Sequence, residues 1–245
     1  MSDKGTIVRS RRCGLKDIYL ARVTKNTAEV YQAEAPEKFA RAVTAKISDK
    51  YTSEKIYSDD GTEEVVASYQ GTDVELEVNT LAPQDRARLW AHLYEAGFLV
   101  ETAEDNPPEL AMGFRTRQLN GKYEFVWLYC GKFDQGNDEE YETIADKKNH
   151  KTATAKASFY ERAKADQVKD PNTGEASEKH LYRVRVDESN LAADATEAAQ
   201  AIKNWFSQVQ EYSGVSADGN DSQQAGDGNG SQQAGDGETG GNGEG

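Results

Sequence analysis

The segment Lys122–Gly131 constrains the fold of this chain more than any other. Alternate residues along it are aromatic and would share one face of an extended strand: Tyr123, Phe125, Trp127 and Tyr129. The opposite face would carry Val126, Leu128 and Cys130. Because successive side chains of a strand point to opposite faces, this strand needs cover on both sides. We predict a central strand of a layered β structure, with Cys130 as a buried, inert thiol.

The dipeptide Asn120-Gly121 precedes this strand and follows a second candidate strand, Leu110–Gln118. Asn-Gly between two such segments is typical of a β-hairpin with a type I′ turn, which needs two residues with positive φ. The sequence therefore predicts that these two strands are antiparallel neighbours.

The segment Thr72–Val78 alternates cleanly between apolar and acidic residues. One face of the expected strand would carry Val74, Leu76 and Val78, and the other Asp73, Glu75 and Glu77. This alternation predicts a half-buried strand with one water-exposed, acidic face. With further candidate strands near 17–23, 41–47, 152–160 and 181–186, we predict a mainly β fold with flanking helices (α+β), arranged as an antiparallel β-sandwich or small barrel.

Two helices are expected beside the strands. The first, near 83–96, begins at Pro83 and ends before Gly97, as suits proline at a helix start and glycine after its end. The second, near 194–212, has apolar residues at three- and four-residue spacing. We expect this helix to dock through its larger apolar side chains, Ile202, Phe206 and Val209.

Residues 48–70 are rich in Ser, Asp, Tyr and Glu. A connection of this length is uncommon inside a compact domain, and tyrosine is favoured at interfaces. We therefore predict a long loop that is ordered mainly by a neighbouring subunit. The residues expected to make this contact are Tyr51, Tyr57, Asp59, Asp60, Gly61 and Tyr69.

The two ends of the chain differ from the part between them. Residues 1–13 lack periodicity and are predicted to be an N-terminal arm. Residues 213–245 hold 11 of the 21 glycines, six acids, no Lys or Arg, and Val215 as the one apolar residue larger than Ala. Such a segment cannot offset the entropy of ordering. We predict a disordered, acidic Gly/Asp-rich tail.

Charge and motifs exclude several functions. The formal net charge of -14 argues against a nucleic-acid binder, which needs clustered Lys and Arg. No apolar run approaches the ~20 residues of a membrane helix, so we expect no membrane contact. The histidines lack metal-ligand spacing, no catalytic motif is present, and Asp59-Asp60 fits a turn better than an acid–base pair. We expect no catalytic, cofactor or metal site, and hence a structural or binding protein.

Four segments, in order, carry a resemblance to a known family. They are 14–21 (GLKDIYLA), 54–61 (EKIYSDDG), a long stretch within 111–143 that includes AMGF, NGKYEFVWLY, GKF and EYET, and 201–206 (AIKNWF). Together they resemble the major tail proteins, or tail tube proteins, of long-tailed, non-contractile bacteriophages. The resemblance covers residues 14–212. The strand near 152–160 lacks the Pro and Gly expected there, the N-terminal arm is longer than usual, and the acidic tail lies outside the resemblance.

The resemblance implies a structural virion protein of the phage tail, made in the cytoplasm of the host bacterium. Six copies would close a ring by continuing their sheets, and rings would stack into a hollow tube around a tape measure protein. The loop at 48–70 would reach the next ring. DNA would touch the protein only in transit, and Asp73, Glu75 and Glu77 are expected to contribute to an acidic bore that DNA does not stick to.

Two alternatives stay open at this point. The chain could be another ring-forming tail component, a terminator or an adaptor. It could also be a secreted carbohydrate-binding β-sandwich, with the face of Tyr123, Phe125, Trp127 and Tyr129 stacking on sugars. The absence of a signal peptide and the apolar cover expected on both faces favour a core role for these rings.

Overall fold

The computed structural model describes residues 6–58, 61–135 and 151–213, and only the backbone of strand residues 55–66. The chain order of the strands in these ranges is β1 (Arg12–Asn26), β2 (Tyr31–Ala33), β3 (Glu37–Lys38), β4 (Ala42–Ser58), β5 (Gly61–Val78), β6 (Leu93–Glu95), β7 (Phe98–Val100), β8 (Leu110–Gln118), β9 (Tyr123–Phe133), β10 (Ala153–Tyr160), β11 (Ala165–Lys169), β12 (Ala176–His180) and β13 (Arg183–Asp187). Helix α1 spans Pro83–Trp90, and α2 spans Thr196–Lys203. The fold is mainly β with antiparallel sheets and flanking helices, as predicted.

One large antiparallel sheet organises the described residues. Its strand order is β2-β1-β8-β9-β10-β5-β4, with β3 beside β1 and β13 beside β9. Strand β9 has β8 along one edge and both β10 and β13 along the other, so it is central, as the cover on both of its faces predicts. Two small hairpins, β6–β7 and β11–β12, lie outside this sheet.

The main core lies on one face of the large sheet, which bends so that strands from both of its ends line the same core. Its buried members include Leu20 from β1, Leu76 from β5, Leu128 from β9 and Phe159 from β10, together with Leu89 from α1. Partly buried residues of β4 pack against the same cluster. This two-sided wrapping is the arrangement by which a sheet buries one apolar face without a second domain.

A second cluster covers the opposite face of β9. Phe125 and Trp127 are buried there beneath Trp205, from the segment that follows α2. The helix itself is shorter than predicted: it ends at Lys203, and residues 204–213 continue as turns and extended chain. The apolar spacing over 194–212 therefore reflects packing of the whole segment rather than one long helix.

The first helix is also shorter than the predicted 83–96. It begins at Pro83 as expected but ends at Trp90, because Ala91 adopts a left-handed conformation with φ of 61°. Gly97, expected to end the helix, lies instead in the turn of the β6–β7 hairpin, with φ of 88°. Neither helix in the described ranges is long and apolar enough to cross a membrane.

The predicted hairpin around Asn120-Gly121 is confirmed, but its turn type is wrong. Gly121 has φ of 85°, whereas Asn120 is not among the residues with positive φ. The amide of Gln118 donates to the carbonyl of Lys122 over 2.8 Å, so three residues form the loop. This is the three-residue hairpin in which one glycine takes the left-handed position.

The prediction of a loop at 48–70 is wrong. Strands β4 and β5 pair with each other along nearly their whole length, from Ala42 opposite Val78 to Ser58 opposite Gly61. The segment is thus a long β-hairpin ordered by its own backbone pairing, not a loop that needs a neighbour to order it. Two parts of the predicted chain ends lie outside the described residues. They are residues 1–5 of the N-terminal segment and residues 214–245 of the tail.

Candidate assembly surfaces

The outer part of the β4–β5 hairpin, residues 52–58 and 61–68, is termed the arm. Strand β5 pairs with β10 only from Thr72 to Val78, whereas its pairing with β4 continues to Gly61. The arm therefore extends beyond the sheet, and no third strand pairs with it in the part of the chain that the structure describes. Seven residues at ~3.3 Å each give it a length of roughly 20–25 Å.

The contact residues predicted on this segment divide between the base and the tip of the hairpin. Tyr51 and Tyr69 are opposite each other at the base, Tyr57 pairs with Thr62 near the tip, and Gly61 pairs with Ser58. Asp59 and Asp60 lie outside the described residues. The backbones of Tyr51 and Tyr69 thus lie at the opposite end of the hairpin from those of Tyr57 and Gly61.

Tyr51 and Tyr69 belong to a cluster within the chain, which sequence reasoning missed. The ring of Tyr69 stacks on Tyr182 with centroids 4.2 Å apart and meets Tyr51 edge-on at 5.6 Å. The hydroxyls of Tyr51 and Tyr182 lie 3.3 Å apart, and this hydrogen bond raises the pKa of Tyr51 to about 12. Tyr182 directly precedes β13, which pairs with β9. This tyrosine cluster therefore connects the base of the arm to the start of β13.

An ion pair reinforces the tyrosine cluster. Arg183 Nη2 donates to Asp49 Oδ2 over 2.7 Å, and Thr72 Oγ1 donates to Asp49 Oδ1 over 2.7 Å. Burial acts to raise the pKa of Asp49, but the hydrogen bonds from Thr72 and Arg183 outweigh it, and the pKa lies below its ordinary value. The arm therefore leaves the sheet at a braced position.

The predicted wet face of Thr72–Val78 is present, but it is not uniformly acidic. Val74, Leu76 and Val78 are buried, as the alternation predicts. On the other face Asp73 forms an ion pair with Lys50 at 2.6 Å. Glu75 lies opposite two lysines of the neighbouring strands, Lys46 and Lys156. Glu77 accepts hydrogen bonds from Thr44 and Thr152. Cross-strand lysines thus balance the acids, which strand-by-strand reading of the sequence does not reveal.

The C-terminal segment docks through the three residues expected to do so. Phe206 stacks on Tyr19 of β1 with ring centroids 4.3 Å apart, and Ile202 packs in the same cluster beside Trp127. Val209 packs where this cluster meets a third one around Tyr129. The face of β9 that sequence periodicity marked as aromatic is therefore covered by the chain's own C-terminal segment.

Polar contacts pin the end of this segment. Trp127 Nε1 donates to the carbonyl of Trp205 over 3.0 Å, and the Tyr129 hydroxyl donates to that of Gln210 over 3.1 Å. The fully buried Arg162 donates to Glu211 over 2.6 Å and lies 4.3 Å above the Tyr129 ring. A buried guanidinium needs such partners, because an unpaired buried charge is costly.

The same cover removes the surface on which a sugar would stack. Phe125, Trp127 and Tyr129 are all buried. A Cβ placed on Gly113 of β8 would lie 2.6 Å from the Trp127 ring. The backbone of β8 is therefore in close contact with this ring. These rings form core, and they offer no platform to a ligand.

Sequence reasoning also missed the β6–β7 hairpin. Its turn, Ala96-Gly97, has positive φ at both positions, as a type I′ turn requires. Leu93, which falls within the helix predicted near 83–96, lies instead in β6 and is exposed, and so are Phe98 and Val100. The hairpin therefore presents an apolar face to solvent.

Among the residues in the described ranges, no three His, Cys, Asp or Glu side chains are grouped so as to hold a metal ion. Cys130 is buried, as predicted, and burial raises its pKa; Cys13 is exposed. The arrangement thus consists of surfaces for packing and pairing. Compared with known proteins, the chain matches no family model, and no curated protein matches its sequence.

Proposed function

We propose that this chain is the major tail tube subunit of a long-tailed, non-contractile bacteriophage, forming hexameric rings that stack into the hollow tail. The observation that carries the proposal is the arm. It extends a sheet by roughly 20–25 Å past its last partner strand, and its base is held by the tyrosine cluster and the ion pair of Asp49 with Arg183. A braced extension that pairs with no third strand among the described residues suits contact with another subunit.

The edge of the sheet supports ring formation. Strand β4 ends the sheet order, and no strand among the described residues pairs with its outer edge. Natural proteins protect such edges or use them, and strand addition between copies would use this one. Closing six copies in this way would leave each ring without a free edge.

The wet face of β5 has a revised part in this proposal. Its acids and the neighbouring lysines give a hydrated, mixed-charge surface rather than an acidic one. Such a face would suit a bore through which DNA passes without lasting contact, because no cluster of basic residues is left unopposed. The tape measure protein and other tail components are the remaining partners in this proposal.

Shortening the arm tests the proposal. Replacing residues 54–66 by Asn-Gly keeps Ser53 opposite Ala67 and supplies the residues that a two-residue hairpin prefers. The shortened protein is expected to fold and to form rings or monomers, but not tubes, by negative-stain electron microscopy and sedimentation velocity. The matched control replaces residues 170–175 of the β11–β12 hairpin by Asn-Gly, between the paired Lys169 and Ala176.

The outcomes separate the alternatives. Tubes from the wild-type and control proteins, but not from the shortened one, support the proposal, and tubes of normal length from the shortened protein contradict it. Wild-type protein that stops at single rings would favour a terminator or adaptor. A wild-type monomer that binds glycans would favour the carbohydrate-binding alternative, although three of the four rings that suggested it, Phe125, Trp127 and Tyr129, are buried.

A further inference from the structure

Two clusters of exposed apolar side chains lie at opposite ends of the central strands. Acidic residues accompany one cluster, and basic residues accompany the other. We term residues 93–105 the acidic end, and residues 7–11 with 117–122 the basic end. The exposed large apolar side chains are Leu93, Tyr94, Phe98 and Val100 at the acidic end and Ile7, Val8 and Leu119 at the basic end.

The acidic end is built on the β6–β7 hairpin. Leu93 pairs with Val100 and Glu95 with Phe98, so these four side chains share one face. Phe98 is 71% exposed. A two-stranded hairpin of this size is marginal in water and needs a third strand or a packing partner on its apolar face. In the described residues nothing covers this face.

Charge at this end has one sign. Residues 89–114 contain no Lys or Arg and five acids, of which Glu95, Glu101 and Glu104 are exposed. The end is held in shape by Asp105, whose Oδ2 lies 2.5 Å from His92 Nδ1 and accepts from the Thr102 amide. Of the three exposed acids, Glu95 lies on the apolar face itself, and Glu101 and Glu104 follow β7 in the chain.

The basic end has the complementary composition. Residues 7–11 and 117–122 contain four Lys or Arg and no acid, and of these Lys122 forms an ion pair with Glu188 at 3.1 Å. Leu119 is 69% exposed, and its amide donates to the carbonyl of Arg11 over 2.9 Å. The Val8 amide donates to Asn190 Oδ1 over 2.8 Å, which fixes the N-terminal segment beside the hairpin turn. Within the described ranges no carboxylate pairs with Arg9, Arg11 or Arg117.

Strands β8 and β9 separate the two ends. Strand β8 begins at Leu110, just after the acidic end, and finishes at Gln118 in the basic end. Strand β9 runs back from the basic end to Phe133. Trp90, which precedes the acidic end, donates from Nε1 to the carbonyl of Asp134 over 2.8 Å. At ~3.3 Å per residue the two ends lie roughly 30 Å apart.

We propose that the acidic end of one copy docks on the basic end of the next copy. The apolar faces would be buried against each other, and the exposed carboxylates and guanidiniums around them would pair. A contact between two different surfaces of the same chain repeats head to tail and builds an open array unless it closes. Its position between successive rings of a tube rests on the proposed function, whereas the contact itself does not.

Charge reversal tests this contact. The first variant carries Glu95→Lys, Glu101→Lys and Glu104→Lys, and the second carries Arg9→Glu, Arg11→Glu and Arg117→Glu. Each alone brings like charges together, which costs several kcal/mol per contact, so the protein concentration needed for association should rise on the order of a hundredfold. A mixture of the two variants restores opposite charges at every contact and should associate as the wild type does.

Sedimentation velocity at low and high salt, with electron microscopy of the same samples, reads the result. The matched control replaces three exposed acids outside both ends, Glu161, Glu175 and Glu178, by Lys. It should associate like the wild type. A fourth variant, Phe98→Ser, should weaken association and should not be rescued by mixing with either charge variant.

The outcomes distinguish this inference from the proposed function. Association of either charge variant at the wild-type concentration overturns the inference, and so does a mixture that stays dissociated while both variants are folded. Rings and tubes that form regardless of these substitutions overturn the inference and leave the proposed function standing. End-to-end oligomers without six-fold rings support the inference and contradict the proposed function, and a wild-type protein that is monomeric at every concentration contradicts both.

Discussion

The inner and outer halves of the β4–β5 hairpin are one continuous ladder in two different environments. In the inner half Val74, Leu76 and Val78 are buried, and β10 pairs with β5 on its other edge. In the outer half, the arm, the two strands pair with each other and with no further strand of the described ranges. Backbone pairing is thus shared by the two halves, whereas burial is confined to the inner one.

The difference shows what specifies a strand in each half. The inner half needs alternating apolar residues, because one face packs on a core. The arm needs only a register, and it inherits that register from the inner half and from the tyrosine cluster at its base. A strand that extends beyond its sheet is therefore free of the sequence pattern that marks the part inside it.

Truncating the core residue of the inner half should give the largest effect. Leu76 is fully buried, and Leu76→Ala is expected to cost about 2–5 kcal/mol of unfolding free energy through lost burial and the cavity left behind. Thr52→Ala, on the exposed arm, should change it by less than about 0.5 kcal/mol. Urea unfolding with an unchanged m-value checks both. Similar losses at the two positions would show that the arm is part of the same packed unit.

Phe206 tests whether the C-terminal segment belongs with the anchored part of the molecule. Its ring stacks on Tyr19 and contacts Phe125 and Trp127. Phe206→Ala is expected to cost about 2–4 kcal/mol, somewhat below the range for a fully buried ring, and Phe206→Asp should give insoluble or unassembled protein. Phe206→Leu is the control and should cost under ~1.5 kcal/mol. Wild-type solubility and assembly of the Asp variant would contradict the docking role.

The sequence predicts those parts of the fold whose side chains report on burial. The alternation of Thr72–Val78 and the two apolar faces of Lys122–Gly131 predicted their strands because a core imposes that pattern. The arm was predicted to be a loop because no core constrains it. Leu89, Trp90 and Leu93 fit one helical stripe, yet the left-handed Ala91 ends the helix between them. Trp90 also donates to the carbonyl of Asp134, a contact between distant residues that local spacing does not reveal.

The residues of the candidate surfaces also differ in whether local sequence predicts them. Ile202, Phe206 and Val209 follow from their three- and four-residue spacing, whereas the buried Trp205 of the same segment does not. The tyrosine cluster does not, since Tyr182 meets Tyr69 only after the chain has folded around β9. Nor do the lysines that neighbour Glu75, because they belong to other strands. Local periodicity predicts what faces a core, whereas a surface assembled from several strands requires the pairing between them.

The ion pair at the base of the arm should give an intermediate effect that depends on pH. Arg183→Met removes both hydrogen bonds to Asp49 and is expected to cost about 1–2 kcal/mol at neutral pH. The folded-state pKa of Asp49 is lowered, so its contribution is present above the ordinary carboxyl value near ~3.9 and is lost as pH falls through the folded value.

Urea unfolding of the wild type and the Arg183→Met variant between neutral and acid pH measures this effect. The two stabilities should converge as Asp49 becomes protonated. A difference that stays constant down to the lowest pH would mean that Arg183 acts through packing on Tyr182 rather than through the carboxylate.

The smallest effect on stability is expected from the wet face of the inner half. The ion pair between Lys50 and Asp73 on this face joins two half-exposed side chains, and such pairs contribute about 0–1 kcal/mol. Asp73→Asn, Glu75→Gln and Glu77→Gln together should therefore lower the unfolding free energy by at most about 1 kcal/mol.

In this triple variant the neighbouring lysines, Lys46, Lys50 and Lys156, would lack opposing carboxylates on β5. Because clustered lysines bind phosphates, assembled protein of this variant should retain DNA at low salt and release it as salt rises, as measured by co-sedimentation. Assembled protein that retains no DNA would show that this face is not exposed to passing DNA, while a large loss of stability would show that the acids hold the sheet together.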